Sequence, residues 1–513
     1  MALFTGWGLA SALVLLRLAD TPVLPRGDSW EYGPQGERLV TLFHLRNVGE
    51  WGLGTVFSAI DRDFPPLLHV ITAGGGAVVG HEAERIALLG PIWLLLLAVA
   101  VAASARGLGL SRSAAGVAGG LTALIPSLHG AACVYWFDLP LTALLWAAFA
   151  IGVGTWGRWP IRGGIAVGIA LIACCLLKWT GLPFGVAVVI AALIATRRWR
   201  AAAVATAVLV VGLLAAYGGD LTDTSFDRMG RTMAGNEEEA GAGALAGIGA
   251  MIAGSFRRLV SGGLVRWAWY PVVFVTANLS VALAALTIPA AALGLRGRRE
   301  VWLPLAGLAA AQLAFLLAMV PVLDERFVMG LAPVVPIGVA ALLERQWDRR
   351  VLGAVVGLSV LVGLDMHVGP RAAWNHEVAL FPNSGDGVSL RGLGVASSFE
   401  QLGWARRDEQ APSFSRQRAE IWQAIREHAD QGFAVERGAP LLHADDDHPW
   451  LRYEALADEI VRGRRAIRFD AVVSVDDVPP GWILLRRASA VPPGWSEVAR
   501  IDGSPAIVLL ERR

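Results

Sequence analysis

Apolar residues run along this chain in continuous blocks instead of alternating with polar ones. The blocks lie at roughly 6–24, 86–104, 114–134, 139–156, 161–177, 182–195, 201–217, 270–293, 301–320, 327–343 and 351–368, most near the ~20 residues that cross a hydrocarbon core. They are rich in Ala, Leu and Val and lack the period of two that marks a barrel strand. Backbone polar groups in lipid must be satisfied within the chain, so such blocks predict helices. The expected fold is an α-helical polytopic membrane protein with about eleven transmembrane helices. The first block has no basic leading region and no small-residue cleavage site, and reads as an uncleaved first span.

Polar residues collect in the connections. Arg106 and Arg112 share one, and Arg158 and Arg162 share another. Further clusters are Arg197, Arg198 and Arg200; Arg296, Arg298 and Arg299; and Arg345, Arg349 and Arg350. Every second short connection is therefore basic, which assigns those to the cytoplasm. The connections between them hold Asp138, Lys178 and the trio Asp324, Glu325 and Arg326, and fall outside together with the longer loops 25–85 and 218–269. Within the first loop, Pro65-Pro66 starts a helix over about 65–80. It reads as interfacial or re-entrant, because the next block must begin outside to end at Arg106. Residues 1–369 then form a membrane domain in the cell membrane, and an odd number of spans leaves 370–513 extracytoplasmic.

Residues 370–513 change character. SRQRAEIWQAIREHA (415–429) reads as an amphipathic helix, and AIRFDAVVSV, GWILLRRAS and PAIVLLER read as strands separated by proline-marked turns. A small C-terminal α/β soluble domain is expected.

Composition agrees: 55% of residues are hydrophobic, 17% are charged and mean hydropathy is +0.52, against about 25% charged in a soluble protein. The net charge of +1 names no partner, and no nucleic-acid partner is expected. Cys133, Cys174 and Cys175 all fall in apolar blocks, away from any exported disulfide framework. Of the 44 basic residues only Lys178 is lysine, which leaves 43 arginines.

Candidate chemistry gathers at the outer boundary. Asp28, in RGDSWEYGPQGERL (26–39), either caps an interfacial helix or serves as a base toward an acceptor hydroxyl. Trp30 and Tyr32 offer flat apolar faces of the kind that stack on sugar rings, and His69 closes the same loop. Asp138, in WFDLPLT (136–142), either caps the next helix or is a second functional carboxylate. Lys178 either snorkels to the interface or binds an anion there. Asp61-Arg62-Asp63, Glu237 to Glu239 and Asp445 to Asp447 read as solvated or structural acids, and His44, His69 and His81 match no zinc spacing.

The order of five elements carries a resemblance. GDSWEY (27–32), FPPLLH (64–69), WFDLPLT (136–142), LKWTG (177–181) and DERFVMGLAPVVP (324–336) resemble the succession found in the GT-C superfamily, of the protein O-mannosyltransferase and aminoarabinose-transferase type. Asp28 is followed by serine where the family often has a second acid, and Arg326 by phenylalanine where it usually has tyrosine. The resemblance implies transfer of a sugar from a polyprenyl-phosphate-linked donor to a glycan, lipid or protein hydroxyl, with inversion. It implies Asp28 and Asp138 as catalytic carboxylates, Lys178 and Arg326 at the donor phosphate, and Trp30, Tyr32 and His69 at sugar or acceptor. A divalent metal ion between Asp28 and Asp138 is compatible with carboxylate chemistry but not required by it. The competing class is a membrane transporter or lipid-linked sugar flippase, whose ionisable groups would continue through the membrane.

Overall fold

The computed structural model describes residues 1–20, 33–52, 55–56, 65–80, 83–133, 137–178, 180–217, 263–319, 325–346, 348–368, 376–378, 388–391, 396–398, 411–436, 449–472, 474–487, 491–502 and 506–512. Helices form at each apolar block. They are α1 (Ala2–Asp20), α2 (Gly33–Asn47), α3 (Leu67–Val79), α4 (Gly90–Gly107), α5 (Arg112–Ala123), α6 (Pro126–Ala131), α7 (Asp138–Thr155) and α8 (Pro160–Leu177). Then come α9 (Gly181–Thr196), α10 (Trp199–Tyr217), α11 (Gly263–Val273), α12 (Val281–Leu295), α13 (Arg299–Met319), α14 (Val334–Arg345) and α15 (Arg349–Val368). Among the described residues, six helices are long and apolar enough to cross a membrane unaided, and four shorter apolar ones accompany them. Helix count and span count therefore differ, because several blocks are divided.

The divisions have local causes. The block at 114–134 breaks before Pro126, whose ring disfavours helix at Ile125; that residue is extended (φ −68°, ψ 128°) and α6 restarts at the proline. The block at 270–293 passes from α11, with Pro271 inside it, through a π-helical stretch Phe274–Leu279 and stops at Ser280. Ser280 has φ 69°, a strained value for a non-glycine residue, and its hydroxyl accepts from the Leu283 amide to start α12.

Small residues let the helices approach closely. A Cβ on Gly6 would strike the Gly120 backbone, and one on Gly294 the Gly338 backbone, which fixes α1 against α5 and α12 against α14. The helix expected after Pro65-Pro66 forms as α3 and lies against α2. Arg46 donates to the Ala73 carbonyl (2.8 Å), and Phe43 fills the notch above Gly76.

In the C-terminal region, α16 (Ala411–His428) is the expected amphipathic helix. β1 (His376–Val378), β2 (Val388–Arg391) and β3 (Ala396–Ser398) make a small antiparallel sheet. β4 (Gly432–Glu436), β5 (Arg468–Val472), β6 (Ile483–Arg487), β7 (Trp495–Ile501) and β8 (Ile507–Arg512) form a five-stranded mixed sheet of order β5-β4-β6-β8-β7. β5, β6 and β8 are the three expected strands; β4 and β7 are additional, and β4 is the parallel centre that joins β5 to β6. α17 (Pro449–Leu456) leads into a π turn, Ala457–Val461, that packs on α2. Ala457, Leu456, Ile460 and Val461 join the apolar cluster that contains Leu39, Leu42 and Phe43, and His44 donates from Nδ1 to the Ile460 carbonyl (3.2 Å).

Asp458 sits in that turn, 1% exposed. It pairs with Arg462 (2.6 Å), Arg464 (3.0 Å) and Arg426 (3.4 Å). Burial alone would lower the Arg462 pKa, but Glu454 and Asp458 outweigh it and raise the value. Asp458→Ala should destabilise the C-terminal domain by about 3 kcal/mol, because the arginines gathered around a buried carboxylate lose their counter-charge. Thermal unfolding of the full chain, followed by C-terminal tryptophan fluorescence, checks this.

Candidate active site

Asp138 is the first residue of α7, and Lys178 is the residue that ends α8. The two helices are antiparallel neighbours, so the start of one meets the end of the other. Lys178 Nζ donates to Asp138 Oδ1 at 2.8 Å. Only 18% of the lysine side chain and 7% of the aspartate side chain are exposed. This is a largely buried ion pair, for which screening by water and salt is weak.

Local chain geometry builds the pair. Lys178 leaves α8 in an extended conformation (φ −156°, ψ 139°), with its amide still donating to the Cys174 carbonyl (3.0 Å). Its own carbonyl accepts from the Gly181 amide (2.8 Å), closing a turn of three residues before α9. Gly181 must lack a side chain, since a Cβ there would run into the Cys174 carbonyl. Gly181→Ala should therefore push the Lys178 turn away from α7, costing about 2 kcal/mol and most of the activity. Unfolding midpoint and initial rate, measured together, test this.

Two of the sequence elements meet the WFDLPLT element directly, and a third meets the helix that it starts. His69 on α3 packs edge-on against Phe137, with ring centroids 5.8 Å apart and an interplanar angle of 80°. Both rings are buried. Lys178 brings in the fourth element. The fifth folds as a 3-10 turn, Glu325–Leu331, and Trp146 of α7 donates from Nε1 to its Gly330 carbonyl (3.0 Å). Arg326 therefore belongs to a turn packed on the same helix as Asp138, although its side chain lies outside the described residues. Asp28, Trp30 and Tyr32 lie outside the described residues, as do His81, Asp61, Asp63, Glu237 to Glu239 and Asp445 to Asp447. The whole of the first element, residues 27–32, therefore lies outside the described residues, and α2 begins directly after it at Gly33.

Of the two carboxylates named for a metal ion, Asp138 is described and Asp28 lies outside the described residues. No three His, Cys, Asp or Glu side chains converge among the described residues, and the Lys178 ammonium already holds Asp138 Oδ1. Cys133, Cys174 and Cys175 are buried free thiols.

A second buried polar pair has no sign in the sequence pattern. His129 on α6 and His367 near the end of α15 share a hydrogen bond between Nδ1 and Nε2 (2.8 Å), 238 residues apart. No spacing rule links positions so distant, and only the packing of α6 on α15 brings them together.

No family model matches the sequence, and no curated protein matches it. Solved structures do match. The crystal structure of ArnT from Cupriavidus metallidurans in the apo state aligns with 99% of this chain and 98% of its own, at TM-score 0.56 and 15% identity. The same protein bound to undecaprenyl phosphate aligns over the same shares at TM-score 0.55 and 15% identity. Along nearly its whole length this chain is similar in fold to ArnT, in agreement with the aminoarabinose-transferase type of resemblance that its sequence elements carry.

Proposed function

We propose that this protein is a membrane glycosyltransferase of the GT-C type that moves a sugar from a polyprenyl-phosphate-linked donor to an acceptor hydroxyl, at the outer face of a bacterial inner membrane and with inversion. The observation that carries the reading is the largely buried Asp138–Lys178 pair, set where the sequence elements at 64–69, 136–142 and 177–181 meet, in a chain with the fold of a protein solved with undecaprenyl phosphate. A lipid phosphate must leave with its negative charge neutralised, and fixed cations in a pocket of low dielectric do this without reorganising. Lys178 offers a compact ammonium and Arg326 a guanidinium able to bind two phosphate oxygens.

In this mechanism Asp28 takes the proton from the acceptor hydroxyl as its oxygen attacks the anomeric carbon. The bond to the phosphate oxygen breaks on the opposite face, and the polyprenyl phosphate departs beside Lys178 and Arg326. Asp138 orients the ammonium. His69 and Phe137 form an apolar wall next to it, with Trp30 and Tyr32 in sugar or acceptor contact. No step is routed through a metal. The contact of α17 with α2 supports one shared side for the first loop and residues 370–513, and so supports the reading of an extracytoplasmic C-terminal domain that serves as an acceptor platform.

The test uses purified full-length protein in vesicles with a panel of labelled undecaprenyl-phosphate sugars. Transfer by the wild type that depends on both Asp28 and Asp138 supports the proposal. Absence of transfer with every donor, together with donor movement across the vesicle, would replace it with the flippase reading.

A further inference from the structure

We propose that the end of the bundle opposite Asp138 and Lys178 carries a binding site for anionic phospholipid headgroups, formed by the α7–α8 and α9–α10 turns. α7 runs away from Asp138 and α8 returns to Lys178, so Arg158, Trp159 and Arg162 lie a full helix length from the candidate active site. α9 likewise runs away from Lys178 and delivers Arg197, Arg198, Trp199 and Arg200 to the same end. The two turns adjoin because α8 and α10 touch through glycine. A Cβ on Gly164 would press on the Ala201 carbonyl and Val204, and one on Gly168 on Val208.

The charge at this end is unbalanced. No Asp or Glu occurs between Asp138 and Asp220 in the sequence. All five arginines are exposed, and none has a carboxylate partner among the described residues. The neighbouring basic connections differ. There Arg298 pairs with Glu344 at 2.6 Å and Arg345 donates to the Arg296 carbonyl at 2.7 Å, so part of that charge is already used inside the protein. At the α7–α8 and α9–α10 turns the arginines stack on tryptophan instead. The Arg158 guanidinium lies 4.7 Å from the centre of the Trp159 ring, and that of Arg200 lies 5.5 Å from the Trp199 ring.

These features fit a phospholipid better than a soluble anion. Trp159 and Trp199 are 49% and 67% exposed, the placement of indoles that lie at headgroup depth. From them an exposed apolar ridge continues along α8 through Ile165 and Ile169, beside α10, of which only 22% of residues 199–216 are buried. Phosphate at the guanidiniums and acyl chains along the ridge would use both surfaces at once.

The experiment is native mass spectrometry of full-length protein after graded delipidation, with phosphatidylglycerol and phosphatidylcholine as competing probes. The wild type should retain phosphatidylglycerol selectively. Arg158→Gln/Arg162→Gln/Arg198→Gln/Arg200→Gln should lower that retention at least ~10-fold, since each arginine near an anionic surface strengthens binding several-fold. Arg349→Gln/Arg350→Gln should leave it unchanged. If the fourfold variant fails to insert, Arg158→Gln/Arg200→Gln carries the same test, keeping Arg162, Arg197 and Arg198 to orient the spans. Glycerol phosphate, which has the headgroup and no chains, should not compete. Equal retention by the neutralised variant, equal loss in Arg349→Gln/Arg350→Gln, or displacement by glycerol phosphate would each overturn the proposal.

Discussion

Lys178→Met should lower sugar transfer by about 10²- to 10³-fold and destabilise the membrane domain by about 3 kcal/mol. Both effects have one cause. Asp138 is 6% exposed, and its carboxylate depends on an ammonium 2.8 Å away. Methionine keeps the length and apolar bulk of the lysine stem but leaves a negative charge in the pocket without that cation. The donor phosphate also loses the cation proposed to receive its developing charge. Asp138→Asn/Lys178→Met separates the two effects. It removes both charges, so most of the stability should return while transfer stays low. Lys178→Arg should fold well and transfer poorly, because a planar guanidinium does not fit the position of a compact ammonium. Initial rates and unfolding midpoints of the four proteins complete the comparison. Transfer at the wild-type rate by Lys178→Met would make the pair purely structural.

Asp28→Asn should reduce kcat by about 10²- to 10⁴-fold with little change in KM, the range expected when a general base is removed while the shape remains. This substitution also discriminates between the two readings of Asp28. Asparagine caps a helix about as well as aspartate, so a capping role predicts near-normal transfer and stability. A base predicts loss of transfer in a protein of unchanged unfolding midpoint. Asp28→Glu should recover part of the rate if its carboxylate can still reach the acceptor.

Much of the membrane architecture was legible as periodicity. Blocks of the right length became helices, because lipid leaves an apolar segment few other ways to satisfy its backbone. The number of helices was less legible. One proline at 126 and one strained serine at 280 divide blocks that hydropathy reads as continuous. In the C-terminal region β5, β6 and β8 were visible as apolar runs, while β4 was not: GFAVE is short, and its parallel partners lie far away in sequence.

The candidate site divides in the same way. Asp138, Lys178 and His69 stand out as polar residues at the ends of apolar segments, and the order of their motifs suggested a family. By itself the sequence determined the helical class, the alternation of basic connections and the residue types available for chemistry, because those follow from local pattern and the cost of burying charge. Only the tertiary structure decided that Asp138 meets Lys178, that His69 meets Phe137, that the Glu325–Leu331 turn leans on Trp146 and that α17 rests on α2. Those contacts join positions from 40 to several hundred residues apart. They are fixed by which helices pack together, and that choice is made by close-fitting glycines and side-chain shape across the whole bundle.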